Sequence, residues 1–253
     1  MRKLGILIRY EFQRFFVSPF FYAVCALFLL LMGIIFFFSL KIYADFPQEE
    51  PLMMQLFKSV WLPLLLVVPI LTTKAIVSEK TEKLFDSLLV LRFSSSSIVF
   101  SKFVAIYCIH LGLWTVVIYF PEIAQSCSAT LAQFNNFMTA QIRWGGWCFV
   151  NLLGGVVIAF GLLVSARAKM PATSMAASTV GIFLFLILGQ LFKQASTIAF
   201  GEAEFFETLY SNWNVFFQLE DFCRGIFDSR VIIAYITATL GILGITALTL
   251  REN

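Results

Sequence analysis

The chain has 253 residues, 60% of them hydrophobic and only 13% charged, with a mean hydropathy of +0.87. Soluble domains carry about twice that charged fraction, and runs of ~20 apolar residues that can each cross a bilayer take up most of this length. A net charge of +3 is too small to indicate a nucleic-acid partner.

Residues 1–17 (MRKLGILIRYEFQRFFV) place Leu4, Ile8, Phe12 and Phe15 at 3–4 spacing, with Arg2, Lys3, Arg9 and Arg14 around the rest. This predicts an interfacial amphipathic helix, or failing that a cytoplasmic extension of the first span. Pro19 opens an uncharged run, the first span (about 19–42), and 44–54 form a short acidic loop. The second span (about 56–77) carries Pro63 and Pro69 and is expected to kink or unwind there. Residues 78–97 break the apolar pattern. Leu84, Leu88 and Leu91 share a face amid Glu79, Lys80, Glu82, Lys83 and Asp86, and four serines follow. A short surface helix ended by the serine run is expected.

The third span (about 98–120) ends at Pro121, a polar loop covers 122–139, and the fourth span (about 144–166) leads into a tight turn at Arg167, Lys169 and Pro171. The fifth (about 172–192) is rich in small residues, among them Ser174, Ala177, Ser178 and Gly181. Four-residue spacing of small residues lets helices approach closely, either within one subunit or across a dimer seam. After a long segment from Lys193, residues 213–228 (WNVFFQLEDFCRGIFD) are too charged to span and too aromatic to stand free in water. They predict a short external, re-entrant helix broken at Gly225, with Glu220, Arg224 and Asp228 on one charged ridge. It would plug a path from outside. The sixth span is about 231–250.

With the N-terminus inside, twelve of the 18 basic residues fall on the cytoplasmic side, so an N-in/C-in orientation is expected. The whole chain reads as one transmembrane domain (1–253), an all-α integral membrane protein of six spans. No GxxxxGK[ST] occurs, so the chain has no phosphate cradle of its own, and one histidine excludes HExxH and multi-histidine metal sites. His110 lies mid-span with no carboxylate in any span to pair with it, and reads as a neutral, hydrogen-bonded structural residue. No catalytic constellation and no metal site are expected. The five cysteines are odd in number and lack a CxxC pair. Cys25, Cys108 and Cys148 read as small hydrophobes, while a disulfide between Cys127 and Cys223 stays open.

Three stretches carry a family resemblance: FFVSPFFYAV (15–24); PILTTKAIVSEK (69–80) through Leu88 and Leu89 to SIVFSKF (97–103); and EDFCRGIFDSR (220–230). Together they resemble an ABC-2 type permease, closest to the gliding-motility-type subunits, over nearly the whole chain. The third stretch is the most specific. The second departs from the family pattern at Leu84-Phe85, Ser87, Phe93 and Ser101.

The resemblance implies a permease subunit of a bacterial inner-membrane ABC transporter, with no enzymatic activity of its own. It implies a partner ATPase dimer that binds ATP and Mg²⁺, a second permease (the same or a sister chain), and room for an external accessory protein. Glu79, Lys80, Glu82, Lys83, Leu84, Phe85 and Leu88 would form the coupling helix against the ATPase. Phe222, Arg224, Gly225 and Asp228 would form an external gate helix. The rival expectation is a non-transporting anchor that passes ATPase force to an external machine.

Overall fold

The computed structural model describes residues 2–45, 51–81, 94–127, 140–200 and 214–252. Every regular element among them is an α-helix, as expected where backbone groups must be satisfied within their own segment. In chain order these are α1 (Arg2–Val17), α2 (Pro19–Asp45), α3 (Leu52–Lys58), α4 (Trp61–Thr81), α5 (Ser95–Val117) and α6 (Phe120–Cys127). They are followed by α7 (Ala140–Arg167), α8 (Pro171–Phe200), α9 (Val215–Cys223) and α10 (Ser229–Glu252). Five stretches are long and apolar enough to cross a membrane: Pro19–Ile42, Ser95–Ala124, Ala140–Arg167, Pro171–Leu188 and Ser229–Arg251. The pair Leu52–Lys58 and Trp61–Val77, bent by 43°, makes a sixth when counted as one broken span. The chain is built as a multi-pass membrane protein.

The break in that pair lies at Ser59–Val60, ahead of both prolines. Pro63 has no N–H to give the Ser59 carbonyl, so the ladder cannot pass through this point. The Ser59 carbonyl instead takes Leu62 N at 3.3 Å, and α4 restarts with Pro63 in its first turn, where a missing donor costs little. Pro69 stays inside α4 and orphans the Leu65 carbonyl, which accepts from Thr179 Oγ1 on α8 at 3.5 Å.

Three boundaries differ from the sequence reading. The serine run starts a helix: Ser94 caps α5, its side chain accepting from Ser97 N at 3.3 Å, because an N-terminal turn needs such acceptors. Pro121 sits in the first turn of α6, so residues 122–127 are helical where a loop was expected. Helix α8 runs on through Lys193 to Phe200.

Side-chain pairs fix the directions. Phe28–Trp114 (5.7 Å) and Phe36–Phe120 (5.8 Å) run α2 parallel to α5 and α6. His110 on Val150 (3.5 Å) and Trp147 on Thr115 (3.3 Å) set α7 against α5. Phe57 against Gly146 and Thr72 against Gly161 make the α3–α4 pair parallel to α7. Thr73–Ser174 (3.3 Å) and Leu65–Thr179 reverse α8. Phe149–Tyr235 (5.7 Å) and the approach of Thr239 to Gly155 return α10 parallel to α7. The six segments therefore alternate, and α2 begins at the end of the bundle where α10 finishes. Helix α7 is its axis, with 72% of its most apolar window buried against 22% for α8 and for α10.

Candidate functional site

Lipid supplies no hydrophobic drive between helices, so contact area must come from close approach. Glycines on α7 provide the sockets. An added Cβ at Gly146 would lie 2.3 Å from the Phe57 ring, at Gly154 2.2 Å from His110 Nε2, and at Gly161 2.6 Å from Thr72 Oγ1. At Gly145 it would lie 1.9 Å from the Phe222 carbonyl oxygen, so there the backbone of α9 itself rests on α7.

Helix α9 is a local consequence of its sequence. Asn214 accepts from Phe216 N at 2.9 Å and caps the start. At the end, Gly225 N bonds the Phe222 carbonyl (3.0 Å) and Ile226 N the Asp221 carbonyl (2.9 Å). That pair of bonds is a Schellman closure, which needs a left-handed residue, and Gly225 has φ +83°. Asp228 then caps α10, its Oδ1 accepting from Arg230 N at 2.8 Å. Val215, Gln218, Leu219, Phe222 and Cys223 form the buried face. Tyr235 donates to Gln218 Oε1 at 2.9 Å, and Lys58 of α3 pairs with Glu220 at 2.8 Å.

The helix and its break at Gly225 stand where the sequence places them, but two details change. Phe222, one of the aromatic residues of this stretch, turns into the bundle and is buried against Phe149 (5.2 Å). The charged ridge stops at Glu220–Arg224 (3.7 Å), because the chain leaves the helix at Arg224 and turns Asp228 into a cap. Arg224 is exposed and closes α9. Cys223 is a free, buried thiol and makes no bridge to Cys127; burial, with Glu220 nearby, pushes its pKa up to about 12. Asp221 on the same helix is raised from the usual carboxylate range, chiefly by burial.

Of the small residues on α8, Ser174 and Ser178 are buried and Gly181 is half-buried, its missing Cβ leaving room for the Phe160 ring. They serve packing inside this chain against α4 and α7. Ala177 is exposed beside Val180 and Leu184. On α10, a Cβ added at Gly241 or Gly244 would meet nothing within 4 Å, so both glycines likewise face outward.

Two residues escaped the sequence reading as a pair. Glu11 of α1 and Lys102 of α5 meet at 2.8 Å, with their side chains 1% and 0% exposed. The inward face of α1 is Leu7 and Glu11, one position off the Leu4–Ile8–Phe12–Phe15 stripe, whose members are only half-buried. The signal was present: Glu11 is the only acid in the first 44 residues, and Lys102 interrupts an apolar run. His110 is buried with Nε2 3.5 Å from the Val150 carbonyl.

Of the coupling residues, Glu79 and Lys80 belong to the last turns of α4, while Glu82, Lys83, Leu84, Phe85 and Leu88 lie outside the described residues. Among the described residues no three histidine, cysteine, aspartate or glutamate side chains gather as a metal site. No protein-family model matches this chain, and no curated protein matches it in sequence.

Proposed function

We propose that this chain is the membrane-spanning permease subunit of an ABC-2-type transporter in a bacterial inner membrane. It works beside a second permease, the same or a sister chain, and a separate ATPase dimer binds ATP and Mg²⁺. The observation that carries this reading is α9. A short helix is seated on α7, closed by a left-handed glycine, and followed at once by the last apolar helix, on the residues of the most specific resembling stretch. In this reading α9 is the external gate element. Its backbone contact at Gly145 ties any shift of α7 to a shift of α9.

The charge distribution supports an inward-facing end where α4 and α7 finish and α5 begins. Arg9, Arg14, Lys74, Lys102, Arg167, Lys169 and Arg251 stand toward that end, against Lys41, Lys58, Arg143, Arg224 and Arg230 at the other. Helix α4 finishes at the more basic end, and residues 82–88, next in the sequence, would form the coupling helix against the ATPase. Replacing Leu84 and Phe85 together by aspartate is expected to abolish co-purification of the ATPase while the permease still inserts in the membrane. Full-yield co-purification by the double variant would refute the coupling assignment.

A further inference from the structure

The start of α7 carries two adjacent seats, each filled by a different short helix. A Cβ added at Gly145 would lie 1.9 Å from the Phe222 carbonyl oxygen of α9, and one added at Gly146 would lie 2.3 Å from the Phe57 ring of α3. The two helices are also tied to each other: Lys58, the last residue of α3, pairs with Glu220 of α9 at 2.8 Å. Most of α3 is buried (Leu52, Met53, Met54, Leu56 and Phe57), as is the α9 face that holds Phe222 and Cys223. Each helix closes its own end. Ser59 Oγ donates to the Gln55 carbonyl (3.2 Å), Ser59 N to that of Leu56 (3.2 Å) and Val60 N to that of Phe57 (3.0 Å), ahead of the 43° bend into α4. Helix α9 is closed by the bonds around Gly225. Rotation at either junction therefore strands none of these carbonyls, which a backbone hinge within a membrane protein requires.

We infer that α3 and α9 form one two-helix lid on the start of α7, hinged at Ser59–Val60 and at Gly225, and that the two lift together. The shared seat carries the inference. Gly145 and Gly146 are neighbours on one helix, so a shift of α7 that spoils one seat spoils the other. The Lys58–Glu220 pair passes the displacement sideways from one short helix to the other. Phe57 also stacks on Trp114 of α5 (6.2 Å), and Tyr235 of α10 holds Gln218 of α9 (2.9 Å). Lifting must break both contacts, so closed is the resting position. The inference deepens the reading of α9 as a gate by giving it a second half in the broken span. It rests on that reading for the lid's purpose and not for its mechanics.

The test is maleimide labelling of the full chain in detergent, one buried cysteine at a time in an otherwise cysteine-free background. Cys223 reports on α9, and Met53→Cys, at a fully buried position, reports on α3. Gly146→Leu drives its side chain into the Phe57 ring, and Gly145→Leu into the backbone at Phe222. Each is expected to speed labelling of both reporters by at least about ten-fold, because labelling of a buried thiol follows the open population. F57A/G146L exchanges ring for leucine across the same seat and should return both reporters to the slow rate. Fast labelling that persists in F57A/G146L would overturn the seat. Ile76→Cys, buried farther along α4, should stay slow throughout. Fast labelling there would mean that the whole bundle opens, and would overturn the lid. Release of Cys223 alone by Gly145→Leu, or of Met53→Cys alone by Gly146→Leu, would also overturn it and leave α9 a gate by itself. The permease reading is decided by the ATPase experiment above, which reads neither helix.

Discussion

A carboxylate and an ammonium withdrawn from water must recover several kcal/mol each from their mutual contact. Glu11 and Lys102 do this between an amphipathic helix and an apolar one, at 2.8 Å and with almost no exposure. Their pairing therefore sets the register of α1 on α5, which its apolar stripe alone leaves free to rotate. Removing one partner takes this contact from a charge that stays buried, at a cost of up to about 3–5 kcal/mol, whereas replacing both by apolar residues of similar size is close to neutral. E11L and K102M are each expected to lower the melting temperature in detergent, and E11L/K102M to regain most of the loss. Single variants that melt like the wild type would mean the pair is not buried. Composition and spacing led to α1 as an amphipathic helix. They did not lead to the pair, because a contact 91 residues apart leaves no local periodicity.

At the scale of elements, the sequence was most legible where caps and breakers act locally. The start of α2 at Pro19, the end of α9 at Gly225 and the start of α10 after Asp228 all follow from residues that can do little else. It was less legible where one residue type can open or close a helix. Ser94–Ser97 and Pro121 were read as ends and proved to be beginnings, since serine and proline suit a first turn as well as a break. The seating of α9 was not legible, because the glycine that receives it lies 77 residues earlier in α7. Gly145→Leu should force α9 off α7, since the clash is with backbone and has no rotamer escape. Cys223 reports the event. In a variant whose only cysteine is Cys223, the folded thiol, shifted from 9.0 to about 12, holds ~1000-fold less thiolate at pH 8 than a free one. Maleimide labelling should be slow in that background and fast once Gly145→Leu is added. The same shift means that α9 docking is unaffected by the thiol below about pH 9 and weakens as pH rises from there toward 12, because only the unseated thiol then ionises. Unchanged slow labelling in the leucine variant would show that α9 does not depend on this socket.

For the whole molecule, the alternation of six segments around α7 puts the start of α5 and the end of α10 at one end, with the α9–α10 turn at the other. Hydropathy gave the number of apolar segments, and the basic residues gave the expected sides. Which helix is central could not be read from hydropathy, because α2 is the most apolar span (hydropathy 2.8) yet only 28% buried, while α7 is less apolar (2.3) and 72% buried. In lipid, glycine sockets and not hydrophobicity select the axis. The central claim, a chain that crosses six times with the α4–α5 connection inside and α9 outside, is tested most directly by labelling two exposed positions in intact cells. In a cysteine-free background, S96C sits at the start of α5 and I226C in the α9–α10 turn, and both native side chains are exposed. A membrane-impermeant maleimide added from outside should label I226C and leave S96C untouched until the membrane is opened. Labelling of S96C from outside, or of both positions from the same side, would contradict the account.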